Sequence, residues 1–164
     1  MSASMERIRR LCGHPLFQEQ LSLLTEAEKD RIFCRHTMEH FLDVARIMYI
    51  YRLEDGCGPE KELIYAAALL HDIGRHEQLL HGTPHHEAGA EIAGRILPEC
   101  GFSLRETLEV QNAIGAHRPS SEPCSGALAD YLRRADKQSR CCFCCPAQDA
   151  CNWPEDKKNR YIQN

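Results

Sequence analysis

No stretch of this sequence stays apolar long enough to cross a bilayer. The most apolar run, Leu63 to Leu70, is bounded by Glu62 and His71 and falls far short of the ~20 residues a spanning helix needs. Strand signals are equally scarce: aromatic residues make up 7% of the chain, and no segment joins strand-like alternation to β-branched or aromatic enrichment, so the expected fold is all α. Positive charge is not in excess either. Lys and Arg number 20 against 24 Asp and Glu, a net charge of −4, which argues against a protein that coats nucleic acid or anionic membrane while leaving room for a local basic pocket around a small phosphorylated ligand. Met1 to Arg10 alternates charges with single apolar residues and lacks the apolar core of a signal peptide, so the expected location is cytoplasmic. No internal repeat and no second domain interrupt the 164 residues, a length that suits one domain.

What is present is helical periodicity. A short helix is expected from about Ser4 to Cys12 and a second near Leu16 to Leu24, with Gly13 and Pro15 as punctuation between them. Thr25 and Glu28 read as a capping box that opens a further helix through Asp30 and Arg31. A long helix follows from about Arg35 to Leu53, with Val44, Ile47, Met48 and Tyr51 on one side, and Gly56 and Gly58 end it. Pro59 suits a first helical turn, and the segment after it runs apolar to His71 before Gly74 breaks it. His76 and His81 then fall in a polar loop and are expected to face solvent, and His14 reads as a turn residue. Thr83 and Pro84 restart a helix that stops at Pro98. Ser103 with Glu106 forms another capping box, opening a helix to about Ala116. Ser120 to Gly126 reads as loop, and a last helix covers Ala127 to Gln138.

Three of these helices share an oddity, an ionisable residue that continues the apolar stripe. His40 precedes Val44 by four residues, His71 follows Ala67 by four, and Asp136 follows Leu132 by four, so all three should point inward. Burying such groups unpaired costs several kcal/mol. A divalent cation that binds neutral imidazoles and ionised carboxylates removes that cost for all of them together.

The same residues carry a resemblance. His40, the His71-Asp72 pair and Asp136 follow the H…HD…D pattern of the HD superfamily of metal-dependent phosphohydrolases. AALLHDIGR from Ala67 to Arg75, HHEAGAEIAGRIL from His85 and RRADK around Asp136 are similar to that family's motifs, over about His36 to Lys137. The resemblance implies a single-domain helical bundle of the HD type. Its parts are an N-terminal helical segment at 1–34, a metal-binding core at 35–138 and a cysteine-rich tail at 139–164. It implies that His40, His71, Asp72 and Asp136 hold one divalent ion (Mn, Mg, Fe, Co, Ni or Zn), with Asp72 at the centre. In two-metal members a second ion is held by histidines from the following helix and loop. Here these would be His85 or His86 with His117, and His85 is favoured because it stands four residues before Gly89 as the family's histidine does. Two such ions ~3.5–4 Å apart activate water at neutral pH and stabilise charge on a phosphoryl oxygen. Arg75, Arg118 and Lys137 each lie within three residues of a proposed ligand and are the candidate phosphate grips, Arg75 first; with Asp72 it completes the expected catalytic pair.

The implied activity is hydrolysis of a nucleotide or other small phosphate ester. The same ligands also serve di-iron oxygenases, and a third reading is a non-catalytic nucleotide-binding or interaction module. His36, one turn before His40, is expected to be a structural histidine. In the tail, Cys142, Cys145 and Cys151 lie at a spacing that suits a separate structural zinc or an iron–sulfur centre, with a fourth ligand from Cys141, Cys144 or Cys124. The array lacks a second well-spaced CxxC, which favours a reduced loop that binds nothing; a redox role is a third option.

Overall fold

The computed structural model describes residues 5–116 and 127–163. Among these there is no strand, and eight α-helices follow in order: α1 Glu6–Gly13, α2 Pro15–Ala27, α3 Met38–Asp55, α4 Lys61–Leu70, α5 Arg75–His81, α6 His85–Glu99, α7 Leu104–Gly115 and α8 Ala127–Gln138. No helix among the described residues is long and apolar enough to cross a membrane. The helices pack chiefly as α6 on α7 and as α3 on α4 and α8.

The core draws Phe41, Val44, Ala45 and Met48 from α3, Ile64 and Leu69 from α4, and Ile96 and Leu97 from α6, all fully buried. Leu11, Phe17 and Leu24 of α1 and α2 join the same core, also fully buried. Each such side chain contributes ~1.5–3 kcal/mol on burial, enough to hold an eight-residue helix that would be unstable alone.

Local chemistry sets several helix boundaries. Thr37 caps α3, its hydroxyl accepting the His40 N–H at 3.4 Å. Ser103 and Glu106 form the full reciprocal capping box of α7. Gly56 adopts the left-handed conformation that closes α3, at φ 70°.

Four expectations need correction. The Thr25 and Glu28 capping box does not form: α2 runs on to Ala27, the Thr25 hydroxyl donates back to the Leu21 carbonyl at 2.8 Å, and the Glu28 carboxylate is taken by His36 instead. A helix donor inside α2 was already satisfied there, so Thr25 had no cap to supply. The segment after Gly74 is not loop but α5, seven residues ending at Gly82 with φ 76°, and its His76 is buried with Nδ1 donating to the Ile73 carbonyl. His81 is exposed as expected. Finally, α3 begins at Met38 rather than near Arg35, so His36 precedes the helix instead of lying on its face; α6 also continues through Pro98 to Glu99. The expected Ser120–Gly126 loop lies outside the described residues.

Candidate metal centre

The site forms where four helix ends meet. His40 stands in the first turn of α3, His71 caps the C-terminus of α4 with Asp72 in the turn beyond it, His85 opens α6, and Asp136 lies in the last turn of α8. His71 and Asp72 are fully buried and Asp136 nearly so. One ligand atom from each of His40, His71, Asp72 and Asp136 lies within 4.8 Å of all the others.

Hydrogen bonds on the far side of each ring set how the imidazoles face this point. The His71 Nδ1–H donates to the Ala68 carbonyl at 2.7 Å, which turns Nε2 toward Asp72 Oδ2 at 3.1 Å and Asp136 Oδ1 at 3.7 Å. Ser139 Oγ donates to the Asp136 carbonyl and so accepts from the His40 Nδ1–H at 3.3 Å. That leaves His40 Nε2 buried, 3.4 Å from Asp136 Oδ1 and 3.9 Å from Asp72 Oδ2. Gln78 Oε1 receives the His85 backbone N–H, which marks it as the oxygen, and also the His85 Nδ1–H at 2.6 Å. His85 Nε2 therefore faces the other carboxylate oxygen, Asp72 Oδ1, at 3.6 Å. A tautomer fixed by an Nδ1–H bond to a protein acceptor is how imidazoles present Nε2 to a metal.

Histidine 36 belongs to this group as well. Its backbone N–H and Nδ1–H both donate to buried Glu28, and Nε2 lies 3.5 Å from Asp72 Oδ2. Burial pushes its imidazole below the ordinary value of 6.5 despite the Glu28 carboxylate, so it stays neutral. It is structural in being satisfied by Glu28, yet it faces the central carboxylate as closely as the expected ligands do. The sequence carries one hint, the His36–His40 pair; the partner Glu28 carries none.

Electrostatics favour a cation at the centre. Burial would raise Asp72 and Asp136, but the neighbouring imidazoles, His71 on Asp72 and His40 and His71 on Asp136, hold both carboxyls well below the usual 3.8. Burial would depress His71; Asp72 and Asp136 beside it override that and raise it to about 10. Two ionised carboxylates thus draw positive charge into a dry pocket, and the same lone pairs and charges suit a divalent ion. The donor set fits such an ion.

The remaining expected residues are placed as follows. Arg75 is the first residue of α5, about a quarter exposed, with Nε 3.0 Å from Asp72 Oδ1 as an ion pair. His86 is half-buried, ring edge-on to His85 at 5.7 Å, with Nε2 4.0 Å from Glu87. Lys137 is exposed beside Asp136. His117 and Arg118 lie outside the described residues. Arg140, not anticipated from sequence, is buried with Nη2 3.3 Å from Asp136 Oδ1.

An all-helical domain whose helix ends converge on a buried His/Asp cluster able to hold a metal ion is the class this structure defines. The chain belongs to the HD domain family, whose model matches residues 37–142. It is similar to an uncharacterized protein of Clostridium beijerinckii, 44% identical over 132 residues, which covers 80% of this chain and 82% of that one. It is also similar to ribonuclease Y of Sulfurovum sp., 33% identical over 111 residues, 68% of this chain but only 20% of that enzyme. Among solved structures, the predicted HD superfamily hydrolase of an uncultured Thermotogales bacterium matches with a TM-score of 0.64 at 28% identity, over 92% of this chain and 86% of that one. Together these support a metal-dependent phosphohydrolase in general.

Proposed function

We propose that this protein hydrolyses a nucleotide or another small phosphate ester, using a metal centre held by His40, His71, Asp72 and Asp136. The observation that carries the reading is the arrangement around Asp72. His36, His40 and His71 present Nε2 to Oδ2, whereas His85 presents Nε2 to Oδ1. A carboxylate addressed on both oxygens by oriented imidazoles suits a site for two ions, the second of which His85 would hold, with His117 from the sequence after α7 as its proposed partner ligand. His86 then supports its neighbour rather than serving as the ligand.

When bound, such ions supply Lewis-acid activation of water and neutralise charge on the phosphoryl group. The chain's own residues do the rest. His40, His71 and His85 commit Nδ1–H to Ser139, Ala68 and Gln78, so Nε2 is the nitrogen each would offer to an ion, His71 after releasing the proton it holds in the metal-free chain. Buried α4 and α8 exclude water from behind the cluster. Arg75, at the rim, places a guanidinium where it can pair with a phosphate oxygen, and Arg118 and Lys137 are the other candidate phosphate grips. The relatives named ribonuclease Y act, by name, on RNA; the chain spans a fifth of their length and carries a net charge of −4, which favours a small substrate over a polymer.

Metal content of the purified protein, followed by turnover of a nucleotide panel, a generic phosphomonoester, a generic phosphodiester and a short RNA with the ions found, tests this. Wild type should turn over at least one small phosphate ester and Asp72→Ala none. Equal residual rates for the two proteins under every metal would overturn it.

A further inference from the structure

The cysteine-rich tail folds back on the segment before α3 and encloses a cavity of about 80 Å³ lined by Cys34, Cys142, Cys145 and Cys151. Three of these thiols come from the tail, and the fourth comes from the other end of the chain. The tail's remaining cysteines, Cys141 and Cys144, are exposed and do not line the cavity. None of the described cysteines forms a disulfide. The HD match ends at residue 142, so the family accounts for neither Cys34 nor Cys145 nor Cys151.

Something other than packing must hold this segment. Beyond Ala135 no described apolar side chain is buried. The tail is three short 3₁₀ turns, Cys142–Cys144, Gln148–Ala150 and Glu155–Lys157, tied by hydrogen bonds such as Gln148 to the Cys142 carbonyl and Asn159 to the Lys137 and Arg140 carbonyls. A coreless segment of this length needs a staple, and metal binding by thiolates is folding free energy.

The surroundings suit a large anionic group. Arg31, Arg140 and Lys158 line the same cavity. Arg140 is buried and stacks over Trp153 at 4.9 Å, and the Lys158 side chain is 7% exposed. A single tetrahedral zinc draws four sulfurs to about 3.8 Å from one another at its ~2.3 Å bonds. The cavity that the four thiols line is about 80 Å³, several times the ~10–15 Å³ that a single water-sized sphere occupies and more room than one such ion fills.

We propose that Cys34, Cys142, Cys145 and Cys151 are the thiolate ligands of an iron–sulfur cluster seated in this cavity. Four cysteines are the usual ligand set of such clusters, each losing its thiol proton on assembly. Arg31 adds positive charge beside the resulting anion, while Arg140 and Lys158 are paired with Asp136 and Glu155. The fourth ligand is therefore Cys34 rather than Cys141 or Cys144; Cys124 lies outside the described residues. The proposal is independent of what the His/Asp centre holds, because that centre contains no sulfur.

The test is acid-labile sulfide and iron in the full-length chain, purified without oxygen and reconstituted with ferric iron, a thiol reductant and sulfide. Wild type should bind sulfide and show broad visible absorption that bleaches with dithionite. Cys34→Ser and Cys145→Ser should lose most of that sulfide while keeping wild-type helical circular dichroism, and Cys144→Ser should retain it. Wild type that takes up no sulfide, or that holds zinc at the tail in its place, overturns the proposal, as does a Cys34→Ser protein that retains full sulfide. Should a cysteine variant fail to fold, the wild-type sulfide measurement decides alone.

Discussion

A Cβ on Gly74 would stand 2.6 Å from the backbone nitrogen of Gly89. It would also lie 2.7 Å from the His85 carbonyl oxygen and 2.9 Å from the Ala88 Cβ, and none of these atoms can rotate away. The φ of Gly74 is −84°, so space and not backbone conformation demands glycine here. The contact seats the start of α6, with His85, against the turn that carries His71 and Asp72. Gly74→Ala should destabilise the chain by ~1–3 kcal/mol, the usual cost of overpacking, and push His85 away from Asp72. Thermal denaturation with and without metal checks this: the melting temperature should fall, and the stabilisation by added metal should shrink. A variant that melts with wild type would show that α6 can yield.

Metal affinity should rise with pH. His71 in the metal-free chain is raised from 6.5 to about 10, so at neutral pH it carries a proton that a cation must displace. The sign for stability follows from the same shift. Protonated His71 stabilises the metal-free fold fully below 6.5, and that contribution is lost as pH rises toward 10. A metal-loaded site does not share the loss, so the gap between loaded and metal-free melting temperatures should widen between pH 6.5 and 10. Calorimetric titration in buffers of different ionisation enthalpy should show proton release on binding near pH 7. A pH-independent affinity would mean that His71 does not hold the proton.

Glu28 lies outside the family's motifs yet should matter as much as a residue within them. It is buried and accepts both the backbone N–H and the Nδ1–H of His36. Burial would raise its carboxyl, but His36 holds it below the ordinary 4.5; His36 itself is lowered. Both shifts act in the same direction. Stability is fully present above 6.5, begins to fall as the unfolded His36 takes up a proton, and falls further below 4.5 as Glu28 does. Glu28→Leu, which strands the buried imidazole, should cost ~1–3 kcal/mol; it removes the fall below 4.5 and, because Glu28 raises His36, steepens the fall below 6.5. Denaturant titrations of both proteins across that pH range measure it.

Much of this site was legible because its residues sit on regular elements. His40, His71 and Asp136 each extend an apolar helical stripe, and Asp72 follows one of them. His85 was separated from His86 by its spacing to Gly89, and the structure turns His85, not His86, toward Asp72. What periodicity does not reach was missed. Helix α5 is seven polar-rich residues, too short for a moment to show and held by α2 and α6. Thr25 and Glu28 have the letters of a capping box, but helix position, which no local pattern shows, decides whether Thr25 is a cap or a mid-helix residue. The His36–Glu28 pair and the meeting of Cys34 with the tail are contacts across irregular backbone, where spacing carries no information about proximity.

Gln78 offers the sharpest separation of the two histidines that open α6. Its Oε1 takes the His85 Nδ1–H at 2.6 Å and so fixes the tautomer whose Nε2 faces Asp72 Oδ1. Among the described residues its hydrogen bonds to proposed ligands go to His85 alone. If His85 holds the second ion, Gln78→Leu should weaken that ion alone, by the ~10–100-fold typical of losing an orienting partner. The ion on His40, His71, Asp72 and Asp136 should bind as before. His85→Ala should go further and remove the second binding step altogether, with turnover falling to that of a one-ion protein, whereas His86→Ala should leave both steps in place. Metal titration followed by calorimetry, with turnover read on the same samples, distinguishes the three variants. A Gln78→Leu protein with two unchanged binding steps would mean that the tautomer of His85 is set elsewhere. A His86→Ala protein that loses the second step would move the ligand by one residue along α6.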